Sequence, residues 1–544
     1  MKSMFAQSNL TPGAVNTLSG SAKYQSDPLA VFRHLTKGQP NALLLESAEI
    51  DKKHKLKSLL LVDAAVRIEC NGNKVNFEPL TTNGAAALAF VKNNLAQHAD
   101  ISDLEKGFTA VFHPVNNELD ERSRLLATNQ FSALRAFLQL QNDDQHDFGI
   151  FLGGAFAFDM MSMSEVLPNV SGGENTCPDY VYYLAETLVV IDHEKRSSEI
   201  IGNVFSGAEQ QKCYFEISRR LQEIKEFMAT FSPENNNNAT KAADTISNTY
   251  DSLVVSVDVS DEDFCQTVEQ LKEHIKAGDI FQVVPSRTFS LPCTDTCAAY
   301  AALKRSNPSP YMFFLQDRDF CMFGASPESA LKFQHTNRQV EVYPIAGTRP
   351  RGFTANGEFS PDLDSRLELD LRQDQKELAE HIMLVDLARN DIARVSKAGT
   401  RHVADLLKVD RYSHVMHLVS RVCGTLADEL DALHAYQACM NMGTLSGAPK
   451  VRATELIRQV EGKRRGSYGG AVGYLTGTGD MDSCIVIRSA FVRNQTAFIQ
   501  AGAGVVYDSN PQAEANETRQ KAQAVISAIQ LSETLIAEKH EGAK

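Results

Sequence analysis

The feature that most constrains this chain is the succession of short apolar runs after residue 280, several of them neighbours with only turn residues between. Strands read at 280–291, 311–315, 320–324, 339–344, 470–476, 483–492 and 496–506. Earlier runs at 42–45, 58–66 and 149–158 continue the pattern. Runs of adjacent strands mixed with long helices indicate an α+β fold with largely antiparallel sheets.

Three helices are well marked. Ser260 and Asp263 form a capping-box-like start, with Asp in place of the usual Glu or Gln. Phe264, Val268, Leu271 and Ile275 then fall on one helical stripe, which Gly278-Asp279 ends. A long helix is expected over 375–394, with Leu378, Ile382 and Val385 on its inner face. A last helix begins near Pro511, a residue suited to the first turn. The polar stretch 232–251, with four consecutive asparagines, reads as an exposed linker. It divides the chain into an amino-terminal region, 1–250, and a second region, 251–544.

The bulk numbers exclude several classes. A net charge of −14 argues against nucleic acid as a main partner. The first twenty residues lack an apolar signal core, and no stretch reaches the roughly 18 apolar residues that span a bilayer. Cys293 and Cys297 sit close together, but none of the ten cysteines completes a zinc pattern, so reduced thiols in the cytoplasm are expected. An anionic substrate would need positive charge built into its own site.

Two acidic pairs stand at helical spacing: Glu377 with Glu380, and Glu514 with Glu517, the latter followed by Lys521. A separation of three or four puts side chains on one helix face. Two such faces meeting across a pocket could hold a hard cation; the alternative is an ordinary solvated surface. Gly502-Ala503-Gly504 follows a strand, where glycines let backbone N–H groups approach a carboxylate, though taken alone a simple turn or bulge is the readier reading. Arg488 falls in the apolar run Ile485-Val486-Ile487, and so either binds an anion or faces water. The run 442–450, MGTLSGAPK, leads into a helix at Pro449 whose first N–H groups favour a nearby anion. His417 is a candidate proton carrier or a structural histidine.

Taken together, these segments resemble the chorismate-utilising enzymes, and within them the large subunits of anthranilate synthases. The matching strings are 278–286 (GDIFQVVPS), 344–352 (PIAGTRPRG), 380–391 (EHIMLVDLARND) and the 442–450 run. The resemblance covers 261–536 densely and the first half sparsely. It implies large antiparallel sheets packed as a sandwich with helices outside. It implies a lyase that turns chorismate and ammonia into anthranilate and pyruvate through an amino-deoxy-isochorismate, the first step toward tryptophan. By the same resemblance Glu380 and Glu517, supported by Glu377 and Glu514, look like ligands of a magnesium ion that bridges to the ring carboxylate. Gly347, Thr348, Tyr468, Arg488, Gly502, Ala503, Gly504 and Lys521 look like substrate contacts. Glu328 resembles the acid that protonates the departing 4-hydroxyl, and His417 and Thr444 resemble residues that act on the intermediate. Hydroxide is a poor leaving group, so an acid and a metal both help.

Relatives that use water carry a lysine base where this chain has Gln282, and relatives that attack through a covalent lysine carry it where this chain has Ala346. Both replacements favour direct attack by ammonia at C2. No cysteine sits in a Gly-x-Cys-x-Gly elbow, so the glutaminase that supplies ammonia is expected on a separate chain, in a complex of two synthase and two glutaminase subunits. The run 43–47, LLLES, resembles the family's feedback motif for tryptophan. Ser47, and with it Glu46, would pair there with Pro310, Tyr311 and Met312. Without the family, 43–45 is simply a buried strand.

Overall fold

The computed structural model describes residues 11–47, 56–116, 118–142, 146–232, 254–354, 356–412 and 415–541, so the asparagine-rich linker lies outside the described residues apart from Ser232. Twenty-three strands form one hydrogen-bonded network, antiparallel throughout except where Ala14–Ala22 meets Gln141–Asn142. The sheet folds over itself. An inner core of Leu43, Leu61, Phe151, Tyr183, Phe313, Met322 and Phe491 fills the space between its layers. One outer face packs against the helices Pro28–Thr36, Gln210–Thr230, Thr296–Ser306 and Pro511–Glu541. The other packs against Thr82–Leu95, Phe131–Leu138, Gln375–Val395 and Ala432–Cys439. This is the expected α+β sandwich with helices outside.

The boundary at residue 250 divides the sequence and not the sheet. The early strand Ala42–Glu46 pairs with the late strand Tyr311–Gln316, and Phe151–Phe156 pairs with Ala471–Thr476. Alternating apolar residues on each strand have a layer to bury against only when both regions are present.

Local chemistry sets most element ends. Ser260 caps the helix Asp261–Lys276, its hydroxyl accepting from the Asp263 N–H at 3.1 Å, and Phe264, Val268 and Leu271 are buried as the stripe requires. Two expected strands are broken. The run 280–291 divides into Gln282–Val283 and Ser286–Pro292, because Pro285 cannot donate to a ladder. The run 483–492 divides into Met481–Ile485 and Ser489–Arg493, with Arg488 between them at φ +50°. The long helix, Gln375–Val395, buries His381, Leu384, Val385 and Ala388, while Ile382 is 40% exposed. The inner face expected from Ile382 is therefore rotated. His381 causes it: one ring nitrogen meets the Ser420 hydroxyl at 2.7 Å and the other the Ala346 carbonyl at 3.2 Å, seating that side on the sheet. All ten cysteines are free thiols. Among the described residues no helix is long and apolar enough to cross a membrane.

Candidate active site

A cavity of about 680 Å³ opens where the long helix, the last helix and the end of the strand Thr496–Gly502 converge. Of the expected catalytic, substrate and metal positions, every one except Ala503 lines it. Ala503 is fully buried, and its N–H donates to the Pro285 carbonyl at 3.2 Å, so it has no free group for a ligand. Its neighbours do reach the cavity. A Cβ on Gly502 would stand 2.7 Å from the Pro285 carbonyl oxygen and 3.0 Å from the Tyr468 hydroxyl, so only glycine lets the strand pass. Gly347, at φ +87°, makes the turn that brings Thr348 beside His417.

The two carboxylate pairs do meet across this cavity. His381 turns Glu377 and Glu380 toward it by seating the adjacent face of the helix. Glu514 and Glu517 are aimed by a residue that the sequence reading missed. Arg287 is buried in the strand Ser286–Pro292 and donates to the Ala515 carbonyl at 2.8 Å and the Thr518 hydroxyl at 2.9 Å, fixing the turn of the last helix between the two glutamates. The rule that marks Arg488, a cation inside an apolar run, also marks Arg287.

The four acids are not equivalent. Glu377 pairs with Arg349 at 3.1 Å, and Glu517 with Lys521 at 2.7 Å. Lys521 also donates to the Gly502 carbonyl at 3.0 Å. Glu380 has only Lys376, at 3.8 Å, and its buried Oε1 accepts no hydrogen bond. Burial, with repulsion from Glu377, Glu517 and Glu514, pushes its carboxyl up to about 7 despite Lys376. Burial also raises Glu514. Among the described residues no three His, Cys, Asp or Glu side chains stand close enough to share a metal ion. A magnesium site needs fewer: the ion commonly takes one or two protein carboxylates and fills its shell with water and an anionic ligand. The orphaned Glu380 oxygen and the all-oxygen donor set fit that pattern.

The opposite wall carries the proton chemistry. Glu328 is 6% exposed, and burial lifts its carboxyl to about 8, with the Thr444 hydroxyl, the Ile345 N–H and the Lys521 charge pulling it partly back. It is therefore a neutral acid at pH 7. His417 moves the other way: burial and then the Arg488 charge lower it to about 4, so its ring is neutral, with Nδ1 2.8 Å from the Thr348 hydroxyl. The buried Thr444 hydroxyl has no partner but Glu328.

Arg488 is the most telling group. Its side chain makes no ion pair and no hydrogen bond among the described residues, and desolvation pulls its pKa down with only the Glu517 charge pulling back. A desolvated guanidinium without a partner is costly to hold unless an anion is to meet it. Sequence reasoning placed it inside a strand. The break at φ +50° instead frees its side chain into the cavity.

From the 442–450 run only Thr444 and Leu445 reach the cavity. The anion expected at the start of the following helix has no support there, since Lys450 is spent on Asp391 and the Cys439 carbonyl. The run is instead anchored by Arg465, 2% exposed, which donates to the Leu445 and Val284 carbonyls and pairs with Glu461 at 2.6 Å. Lys376, Gln500 and Gln520 also line the cavity and were not anticipated. Lys376, four residues before Glu380, was open to the spacing argument.

The feedback motif is brought together as well. Ser47 follows the strand Ala42–Glu46, whose Glu46 lies opposite Met312. Strand alternation then puts Leu45 and Tyr311 on the inner face, with Phe148 and Tyr474, and Met312 on the outer face. Both Glu46 oxygens are already engaged, one by the Tyr300 hydroxyl at 2.8 Å and one by Lys304.

Comparison with known proteins agrees with this geometry. The family model described as chorismate binding enzyme matches residues 94–527. Anthranilate synthase component 1 of Vibrio parahaemolyticus is 54% identical over 530 residues, 97% of this chain and 95% of that protein. The protein of the same name from Escherichia coli K12 is 53% identical over 94% of this chain and 96% of its own length. The crystal structure of anthranilate synthase component I from Streptococcus pneumoniae superposes with a TM-score of 0.64 at 29% identity, covering 88% of this chain and 94% of that one. A menaquinone-specific isochorismate synthase from Escherichia coli, at 16% identity and a TM-score of 0.61 over 95% of each chain, shares the fold. The chain belongs to the chorismate-binding enzymes and, within them, to the anthranilate synthase component 1 family.

Proposed function

We propose that the chain is the chorismate-using subunit of an anthranilate synthase, committing chorismate to tryptophan biosynthesis. The observation that carries this is the half-buried Arg488, without an ion pair among the described residues, sharing one cavity with the neutral acid Glu328 and the four carboxylates. Arg488 and Tyr468 hold the enolpyruvyl carboxylate, and Lys521 adds positive charge. Ammonia adds at C2 as the C4 hydroxyl leaves, and Glu328 supplies the proton that lets it depart as water. His417, uncharged, keeps the lone pair that a proton acceptor needs when pyruvate and a ring proton are lost. Glu380 and Glu517 would hold magnesium, which when bound polarises the ring carboxylate. Gln282 and Ala346 both line the cavity and offer neither a base for water nor an amine nucleophile, which favours ammonia over both alternatives.

The test is the fluorescence of anthranilate formed from chorismate, magnesium and an ammonium salt at alkaline pH. No turnover at high ammonium would remove the proposal. The metal assignment is tested separately. Glu380→Ala should weaken magnesium activation by at least the roughly tenfold to hundredfold that even second-layer partners cost. A variant with wild-type magnesium dependence would reject it.

The word component in the relatives' names supports a second chain, a glutamine amidotransferase that supplies ammonia, in a two-plus-two complex in the cytoplasm. Tryptophan is proposed as the feedback inhibitor, bound between Ser47 and Pro310–Tyr311, where Tyr311, Phe148 and Tyr474 offer an aromatic surface. A short chain of contacts joins this place to the catalytic cavity. Met312 pairs with Ala325, whose N–H donates to the Arg488 carbonyl at 3.0 Å. Asn307 and Ser309 share a small void with His417 and Arg488. Ser47→Ala should weaken tryptophan inhibition roughly tenfold, the worth of one lost polar contact. Unchanged inhibition in steady-state assays would reject the site.

A further inference from the structure

A second cleft, of about 630 Å³, lies in the amino-terminal region between the helix Gln210–Thr230, the turn entering the helix Thr82–Leu95 and the strands Lys57–Asn71 and Tyr180–Asp192. It shares no lining residue with the catalytic cavity or with the feedback segments. Its size falls in the range of small-molecule sites. Its floor is an irregularity in the sheet: the pairing of those two strands slips between Leu61 and Asp63, again to Ala64, and again to Val66. Bulges of this kind re-aim side chains, and here they bring Asp63, Glu186 and Thr187 to one opening.

The charge in the cleft is mainly acidic, Asp63, Glu186 and Glu216 standing against Arg220. Thr187 is 1% exposed, and its hydroxyl has no hydrogen-bond partner. The side-chain oxygen of Asn41 is likewise buried and unpartnered. One oxygen of Glu186 accepts from the Thr81 hydroxyl at 2.7 Å and the Asn83 amide at 3.0 Å, and no bond reaches the other. Glu216 is exposed at the rim and has no ion pair among the described residues. The sole cation in the lining, Arg220, is consumed by Asp63 at 2.9 Å and by the Leu35 carbonyl at 3.0 Å. An anion entering here meets three carboxylates, with Arg220 already held by one of them and only neutral hydroxyl and amide donors to offset the repulsion. Val62, Leu80 and Ile217 give the cleft an apolar wall.

We propose that this cleft binds a small organic ammonium ion, with the charged nitrogen at Glu186 and the buried acceptors and a short aliphatic part along Val62 and Ile217. Nothing in the ammonia-dependent chemistry of the catalytic cavity calls for it, so it is a site in its own right.

Calorimetric titration of the full chain with butylamine tests this, with sodium butyrate and magnesium chloride as controls. The expected result is saturable binding of butylamine and none of butyrate. Glu186→Gln should weaken it at least tenfold. Glu216→Gln, on an exposed helix face where folding is not at stake, should weaken it several-fold. Both variants should form anthranilate at the wild-type rate without the amine. Absence of saturable butylamine binding, or equal binding by wild type and both variants, would overturn the proposal. So would displacement of butylamine by magnesium with the same sensitivity to the two substitutions.

Discussion

Glu328→Gln should lower kcat by about 10²–10⁴-fold, the usual contribution of a positioned acid, while leaving KM for chorismate nearly unchanged. Glutamine keeps the shape and hydrogen-bonding capacity but has no proton to give. The pH profile sharpens the test. Because burial lifts Glu328 to about 8, the active acid form predominates below that value and is lost above it. With free ammonia held saturating, kcat of the wild type should be flat below about pH 8 and fall tenfold per unit above it. The variant should lose that descending limb. The substitution should move stability the opposite way to activity. The folded carboxyl holds its proton more tightly than the unfolded one, whose ordinary value is near 4.5. Keeping it neutral at pH 7 therefore favours the native state less than at acid pH. Stability from this group is fully present below about pH 4.5 and declines as pH rises toward 8. The permanently neutral glutamine avoids that loss. The variant should be more stable than wild type at pH 7, by about 1–3 kcal/mol, with the gain vanishing near pH 4. A chemical denaturation series showing the reverse order would contradict the buried-acid reading.

Arg488→Met should act on binding. Removing one partner of a desolvated charge pair costs enough to raise KM for chorismate by about 10²–10³-fold, while the chemical groups remain in place. Methionine fills similar volume, and no native ion pair is left stranded because the side chain has none. The variant should also let His417 titrate at higher pH, since the Arg488 charge is one cause of its depression. An NMR titration of the histidine ring reads that shift directly. A variant with unchanged KM and an unmoved ring would show that the guanidinium does not face the substrate.

The fold class was legible because it depends on patterns that a linear reading sees. The Ser260 cap, the strand alternation and the proline at the last helix all act within a few residues. What stayed hidden depends on partners far away in sequence. A helix wheel ranks Ile382 above His381, yet His381 is the buried one, because Ala346 and Ser420 offer it two hydrogen bonds. A run of apolar residues cannot announce that it breaks at Arg488. Arg287 could be picked out as a cation in a strand, but its task, holding the last helix at Ala515 and Thr518, was hidden for the same reason. The carboxylate spacing singled out these residues, but spacing alone favoured a solvated surface. Only their convergence on one cavity separates the two.

The pairing of Ala42–Glu46 with Tyr311–Gln316 bears on how the polypeptide can be made and cut. During synthesis the early strand can pair at once with Lys57–Asn71, but it must wait for more than half of the chain to emerge before its second neighbour exists, a high contact order that slows folding. Severing the molecule at the asparagine run, where composition suggests a seam, would give two fragments with unsatisfied strand edges, each prone to aggregate. Co-expressed halves should be recovered together or hardly at all.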